Sequence, residues 1–359
     1  MGLTANEFTV QFIATLIKFA IMAGILLQLP PVMVWAERRI PGMMQRRKGP
    51  NRVGLFKFRL YGIVQPLADT IKLIMKEEVV PEGAQKAFYH LAPIFSVFPA
   101  FLIAMAIPYG PDIHAFGFDV PLSIIRVDVG FLFIFAVSSL AVYGVTIAGW
   151  ASNNKYSLLG SLRASAQMIS YEIPLGMSLI PIVLIYGSLD LNKIVEAQNH
   201  VWLWGVFLSP ISFVLFLISM FAETNRSPFD LAEAEGELVA GFHTEYTSAK
   251  FAAFFLGEYV SMFVLSCLAS TVFFGGWQVP FVDILKIDDA IGFTGVGALI
   301  GFMSLLLKAG FFMWVYVWVR WTVPRFRYDQ LMSLGWHYMV PLGLINIVLT
   351  AVILAAIRF

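Results

Sequence analysis

The sequence predicts an all-α polytopic membrane protein with about eight transmembrane helices and one amphipathic interfacial helix on the cytoplasmic side. Hydrophobic residues make up 59% of the 359 positions and charged residues only 13%, which leaves too few polar side chains to cover a soluble core of this length. The long apolar runs have no polar face, as expected for helices surrounded by lipid. They also lack the period-two alternation that is typical of a membrane β-barrel.

Eight apolar runs mark the predicted spans, and residues 1–359 are predicted to form a single membrane domain. Each run exceeds the roughly 17 residues that a helix needs to cross the hydrocarbon layer. Helices are expected because they satisfy their own backbone hydrogen bonds in lipid. The predicted spans are residues 10–35, 91–108, 129–150, 164–187, 202–222, 250–277, 291–319 and 334–356.

Lysines and arginines lie mostly on one side of the predicted membrane. Eighteen of the 24 fall in the loops after the first, third, fifth and seventh spans, and four fall on the opposite side. Because these residues accumulate in cytoplasmic loops, the richer side is predicted to be cytoplasmic and both termini to be outside. Two long loops lie on the cytoplasmic side, at residues 37–90 and 223–249.

The first of these loops contains the predicted amphipathic helix. Its apolar residues recur on one helical face and its polar residues on the other: Ile63, Leu67, Ile71 and Ile74 against Gln65, Asp69, Lys72 and Lys76. The stretch is too short and too charged to span the bilayer. It is expected to lie along the membrane surface or under a docked protein, and the alternative is a solvated interfacial linker.

The second loop gathers acids in the stretch "NRSPFDLAEAEGELVAGFHTEY". Ser227 and Pro228 resemble a helix start, which predicts a helix from there to Gly241 with Asp230, Glu233 and Glu237 on one stripe. Six acids face one arginine, Arg226, between positions 223 and 245. In a poorly hydrated place, such crowding would raise the pKa of some members and couple their titration. The alternative is a solvated acidic helix cap.

Three ionisable residues fall inside predicted spans: Glu172, Glu258 and Lys308. A charge at the centre of the bilayer costs on the order of 2.5 to 3.5 kcal/mol, so such residues usually face the bundle and act in pairs or relays. With the acidic loop, they indicate proton-relay chemistry. From these residues alone, the protein could be a transporter, a channel or a redox-driven pump.

The chain carries few residues that could hold a redox centre. Its one cysteine, Cys267, can form neither a disulfide nor an iron–sulfur site within the chain, and the five histidines are scattered. No glycine-rich phosphate loop follows a strand. No flavin, iron–sulfur cluster or metal is therefore expected on this chain, and no nucleic-acid partner is predicted.

Several motifs occur together in a specific order: "AERRIPGMMQRRKGPNRVG", "QPLADTIKLIMKE", "YEIPLG", the acidic stretch, "GEY" and "PRFRYDQLM". Over nearly the whole chain they resemble the H subunit of bacterial NADH:quinone oxidoreductase, respiratory complex I, and the mitochondrial NADH dehydrogenase subunit 1. The resemblance implies a translocase subunit of the bacterial inner membrane, placed at the joint between the peripheral and membrane arms. It also implies quinone as substrate, with membrane lipid, quinone-site and iron–sulfur subunits, and antiporter-like subunits as partners.

Motif by motif, the resemblance implies two groups of site residues. The first would line the mouth or floor of the quinone chamber: Glu37, Arg38, Arg47, Gln65 and Asp69. The second would form a path for protons toward neighbouring subunits: Glu172, Asp230, Glu233, Glu235, Glu237, Glu245, Glu258 and Lys308.

The sequence leaves two alternatives open. The same joint serves membrane-bound hydrogenases and dehydrogenases with other electron donors, whose donor sites lie on other chains. A stand-alone proton-coupled transporter is less favoured, because its expected internal repeats are missing from the sequence.

Overall fold

The computed structural model describes residues 5–54, 61–115, 118–231, 235–281 and 295–358. Within this part of the chain, seven helices are long and apolar enough to cross a membrane, and an eighth apolar helix, α8, is shorter. The predicted all-α polytopic fold is confirmed. The helices are α1 (Ala5–Met44), α2 (Gln65–Met75), α3 (Lys86–Ala106), α4 (Gly130–Ala151), α5 (Lys155–Tyr186), α6 (Leu191–Ala197), α7 (Gly205–Leu208), α8 (Pro210–Glu223), α9 (Glu235–Leu238), α10 (Ser248–Phe273), α11 (Val296–Thr322), α12 (Tyr328–Ser333) and α13 (Val340–Arg358).

Short elements complete the fold. A 3-10 turn spans Val201–Leu203, another spans Gly241–His243, and a π-helical turn at Leu334–Met339 joins α12 to α13. A small antiparallel hairpin pairs β1 (Ile113–Ala115) with β2 (Phe118–Val120). Helix α10 lies at the centre of the bundle, where it packs against α1, α3, α8 and α11.

The amphipathic stretch forms helix α2, as predicted. Pro66 occupies its first turn, where a missing N–H costs nothing, and Lys72 in its last turn interacts favourably with the helix dipole. The apolar side chains Leu67, Ile71 and Ile74 are all exposed. An exposed apolar face on a helix too short to span a bilayer is suited to lie against lipid.

Two predicted helix starts or ends were misplaced. Helix α1 continues past residue 35 to Met44, so Glu37 and Arg38 lie on the helix and not in a loop. Both side chains find ionic partners, which allows the helix to extend beyond its apolar run. Helix α5 begins at Lys155 and not at residue 164, because the Asn154 side chain accepts a hydrogen bond from Tyr156 N at 2.9 Å and caps the helix.

The predicted fifth span, residues 202–222, is wrong as a single helix. The chain forms a 3-10 turn, the four-residue helix α7 and then the 14-residue helix α8. Pro210 explains the break, because a proline has no N–H to continue a preceding helix but fits well at the start of a new one. The sixth span ends at Phe273, just before Gly275 and Gly276, whose φ angles of 71° and 54° favour glycine. The predicted start of the seventh, at residue 291, lies outside the described residues.

The predicted helix from Ser227 to Gly241 is also wrong. Residues 224–231 form turns, and the only helix before Gly241 in the described part of this segment is the four-residue α9. Tertiary contacts override the capping signal: Phe326 N donates to Pro228 O at 3.1 Å, and Phe229 is buried. The stripe of three acids therefore does not form as predicted, and Glu233 lies outside the described residues.

Candidate functional site

A buried arginine lies where three elements of the bundle meet. Arg226, in the turn after α8, is only 5% exposed. Its Nη1 donates to Glu37 Oε1 on α1 at 2.9 Å, and its Nε forms an ion pair with Glu258 on α10. Its guanidinium also lies over the ring of Tyr259, 4.4 Å from the centroid. One cation thus joins a residue of the predicted chamber to a residue of the predicted proton path.

Glu37 has further partners on the opposite side of its carboxylate. Its Oε2 accepts from Arg320 Nη1 on α11 at 2.7 Å and from the Tyr259 hydroxyl at 2.9 Å. Glu37 and Glu258 are thereby balanced by Arg226 and Arg320. We call these five residues the Arg226 network: Glu37, Arg226, Glu258, Tyr259 and Arg320.

The charge state of Arg226 follows from its surroundings. Burial disfavours the cation, but the carboxylates of Glu258 and Glu37 outweigh it and hold the pKa of Arg226 well above its ordinary value. The arginine is therefore a permanent charge. Removing one member of such a buried pair leaves an uncompensated charge, which costs about 3 to 5 kcal/mol.

A second acid accompanies Glu258. A cavity of about 60 Å³ is lined by both Glu258 and Glu223, the last residue of α8. Glu223 Oε2 is buried and has no hydrogen-bond partner among the described residues, and Glu172 on α5 is close enough to act on it electrostatically. Our site prediction from sequence missed Glu223. The available signal was its position as the sole acid at the end of an apolar run.

A larger cleft of about 540 Å³ lies between α1, α2 and α10. Its walls are mostly apolar, with Leu27 and Val34 from α1 and Leu256 from α10 among them. Arg38 and Asp69 supply polar groups and form an ion pair across α1 and α2 at 2.7 Å. Gln65 Nε2 donates to Asp69 Oδ1 at 3.1 Å and so orients that carboxylate.

The remaining predicted site residues are dispersed. Arg47 donates to its neighbour Gln45 and does not line the cleft. The acids of the second loop pair separately: Asp230 with Arg325 at 2.8 Å, Glu237 with Arg163 at 2.5 Å, and Glu245 with Asn154 at 2.5 Å. The side chain of Glu235, like Glu233, lies outside what the structure describes.

Lys308 is surrounded by backbone carbonyl groups, whereas the acids pair with side chains. Its ammonium donates to the carbonyl oxygens of Phe274 and Gly276 at 2.8 Å and of Gln278 at 2.5 Å. These carbonyls follow the end of α10, and the Trp204 ring lies 4.9 Å from the ammonium. Lys308 therefore caps the unwound end of α10, and no described carboxylate is hydrogen-bonded to it.

These features define a class: a multi-spanning helical membrane protein with a buried charge network next to an apolar cleft. Comparison with known proteins narrows the class. The family described as NADH dehydrogenase matches residues 17–351. NADH-quinone oxidoreductase subunit 8 of Rhodothermus marinus is 48% identical over 340 residues, which cover 94% of this chain and 95% of the relative.

Two further relatives agree. The first H subunit of NADH-quinone oxidoreductase from Geobacter metallireducens is 48% identical over 339 residues, covering 94% of this chain and 96% of the relative. The H subunit from Protochlamydia amoebophila is 49% identical over 319 residues, covering 89% and 91%. The chain belongs to the NADH dehydrogenase family, among the H subunits of NADH-quinone oxidoreductase. The resemblance that the motifs predicted is confirmed.

Proposed function

We propose that this chain is the membrane subunit at the joint of the two arms of a proton-translocating NADH:quinone oxidoreductase in the bacterial inner membrane. It forms the lipid-side part of the quinone chamber and an acidic path that couples quinone reduction to pumping. Its partners are the quinone-site and iron–sulfur subunits of the peripheral arm, the antiporter-like subunits and membrane lipid. The relatives' names favour NADH as the electron donor.

One observation carries this proposal: Tyr259 belongs to both sites. It lines the cleft between α1, α2 and α10, and its hydroxyl donates to Glu37 in the Arg226 network at 2.9 Å. A molecule entering the cleft therefore comes within one side chain of a coupled set of buried carboxylates. This adjacency is what coupling of a redox substrate to proton movement requires.

The cleft is suited to a quinone with an isoprenoid tail. Its apolar walls match the tail, and the exposed apolar face of α2 continues toward lipid. At the polar end, the Arg38 guanidinium is able to donate to a quinone carbonyl. The arginines and the chamber wall are held in position by Glu37, Gln65 and Asp69. Arg47 would lie at the cytoplasmic rim of the chamber.

The proton path would start at Glu258, in the Arg226 network, and continue to Glu223 and Glu172. Quinone reduction takes up two electrons and two protons, so it changes the charge next to the network. A change of charge there shifts the titration of every coupled carboxylate. We place Asp230, Glu233, Glu235, Glu237 and Glu245 at the cytoplasmic entrance of this path, with both chain termini on the outer side, and Lys308 at its far end.

The chamber is tested with a photoreactive long-tail quinone analogue and the purified whole complex. Labelled peptides from residues 27–38, 66–74 or 249–259 of this chain support the chamber assignment. Labelling confined to partner subunits contradicts it. Competition by excess natural quinone shows that the labelling is specific.

The path is tested by Glu258→Gln in the assembled complex, measured in inverted membrane vesicles. We expect pumped protons per NADH to fall by about a hundredfold or more, since a positioned proton-transfer group typically contributes at least that factor. Glu196→Gln, on the exposed surface of α6, is the matched control and should have no effect. Unchanged pumping in Glu258→Gln would show that the relay assignment is wrong.

A further inference from the structure

His243 is a buried titratable residue that the proposed path does not use. It ends the 3-10 turn Gly241–His243, which packs against α4 and α5, and it is only 5% exposed. Histidine is the residue type whose charge ordinarily changes between pH 5 and 8. Most buried histidines serve packing, so its surroundings decide what this one does.

The decisive feature is that His243 lines the same cavity of about 60 Å³ as Glu223 and Glu258. A volume of this size holds roughly two water molecules, and the imidazole, carboxylates and hydroxyls in its lining are able to hydrogen-bond to them. The carboxylates come from α8 and α10, and Arg226 is paired with Glu258. The other lining residues are uncharged.

Several aromatic rings pack around His243, and two of them, Phe242 and Phe254, also line the cavity. The ring centroid of Phe242 lies 3.7 Å away, those of Phe254 and Phe251 lie 5.3 and 5.7 Å away, and that of Phe255 is stacked at 5.7 Å. These rings shield the imidazole from bulk solvent, so proton exchange is directed to the cavity. Their negatively polarised faces also stabilise a transient imidazolium.

We propose that His243 is a proton-carrying residue between Glu258 and Glu223, and this inference rests on the proposed function of the acidic path. A proton leaves the carboxyl group of one acid, passes through cavity water and binds one imidazole nitrogen. The resulting imidazolium releases the proton on its other nitrogen toward the carboxylate of the second acid. One proton is transferred, no electron moves, and the imidazole is left neutral in its other tautomer.

A carboxylate pair alone is a poor conductor here, because Arg226 holds Glu258 in an ion pair. An imidazole adds a carrier with two distinct nitrogens, one able to accept a proton while the other releases one. While it carries the proton, the positive imidazolium also reduces the repulsion between the two carboxylates. The competing explanation is that His243 only fills the aromatic pocket. Substitution of the imidazole distinguishes the proton-carrying role from this packing role.

The test compares three variants in the assembled complex in inverted vesicles: His243→Asn, His243→Gln and His243→Phe. Asn and Gln keep polarity, and Phe keeps the aromatic ring, but none carries a proton near neutral pH. We expect pumped protons per NADH to fall by about a hundredfold in each variant, with NADH oxidation by a hydrophilic artificial acceptor unchanged. His243→Phe keeps the aromatic packing and His243→Asn and His243→Gln keep the polarity, so a loss of pumping common to all variants that assemble indicates loss of the proton carrier.

The pH profile supplies a second readout that a packing role would not move. The pH dependence of the pumping ratio should differ between the wild type and the variants, because only an imidazole can bind and release a proton there. His200→Asn, exposed just before the 3-10 turn Val201–Leu203, is the control and should behave as wild type. Full pumping in His243→Phe, or an unchanged pH profile in any variant, overturns the proposal.

Glu258→Gln in the same assay separates this inference from the function on which it rests. If Glu258→Gln abolishes pumping and the His243 variants do not, the path stands and the role of His243 is wrong. If neither has any effect, the path itself is wrong.

Discussion

Arg226 and Glu37 are separated by 189 positions in the sequence, yet their side chains form an ion pair at 2.9 Å. The pair fixes the turn after α8 against the C-terminal part of α1. Arg320 shares the same carboxylate from α11, so a single glutamate holds three elements together. Because Tyr259 also contacts Glu37, the geometry of the cleft and the geometry of the network are linked.

The first prediction concerns this glutamate. Glu37→Gln leaves Arg226 and Arg320 facing a neutral amide, and we expect a loss of about 3 to 5 kcal/mol of stability from the uncompensated charge. The readouts are the yield of assembled complex on native gels and the temperature of half-inactivation. Asp329→Asn removes a highly exposed pair with Arg327 and should leave both readouts unchanged, since surface pairs contribute little. Equal behaviour of the two variants would contradict the structural role of Glu37.

The second prediction concerns close packing between α5 and the acidic segment. A Cβ on Gly160 would lie 2.7 Å from Gly241 Cα, whereas a Cβ on Gly176 in the same helix meets no atom within 4 Å. We expect Gly160→Ala to displace the turn that carries His243 and to lower the assembly yield and thermal stability. Such overpacking typically costs about 1 to 3 kcal/mol. Gly176→Ala should be neutral, so a stable Gly160→Ala complex would show that the contact is not tight.

The third prediction concerns the cap of α10. Lys308→Met removes three charge-assisted hydrogen bonds to the carbonyls of Phe274, Gly276 and Gln278, each worth about 1.5 to 3 kcal/mol although not additive. We expect lower thermal stability of the complex and faster proteolysis after residue 273. Lys193→Met, in the exposed part of α6, is the control. Normal stability of Lys308→Met would contradict the capping role, and pumping that falls more than the yield of assembled complex would support the proposed place of Lys308 in the proton path.

The fourth prediction concerns the cleft. Ala252→Trp places an indole in the cleft wall and should raise KM for a long-tail quinone at least several-fold. A short-tail analogue needs less of the cleft, so its KM should change less. Ala355→Trp on the exposed face of α13 controls for bulk in the membrane. Equal changes for the two quinones would argue that the tail does not pass through this cleft.

Sequence patterns predicted the spans best where hydropathy alone decides, as in α4 and α13. They failed where a side-chain contact overrides a local signal. Ser227 and Pro228 resemble a helix start, but the neighbouring Arg226 is held by Glu37 and Glu258, and the chain turns there instead of forming a helix. Pro210 was visible in the sequence, and its effect on the fifth span was underestimated.

The candidate site shows the same division. Glu172 and Glu258 were predicted because a charge in an apolar run is costly and therefore conspicuous. Glu223 and His243 were missed because each ends an element, where a polar residue is ordinary. Their significance comes from a shared cavity, which periodicity along one helix cannot report.

By itself, the sequence determined that the chain spans a membrane many times, that it carries acids inside its spans, and which family it belongs to. Those properties depend on local composition and motif order, which can be read residue by residue. Only the tertiary structure decided that Arg226 joins Glu37 to Glu258, that Tyr259 connects cleft and network, and that Lys308 caps a helix. Pairing between charges distant in the chain depends on how the helices pack. Because a buried charge without a partner is strongly destabilising, the packing that supplies each partner decides which charges can be buried.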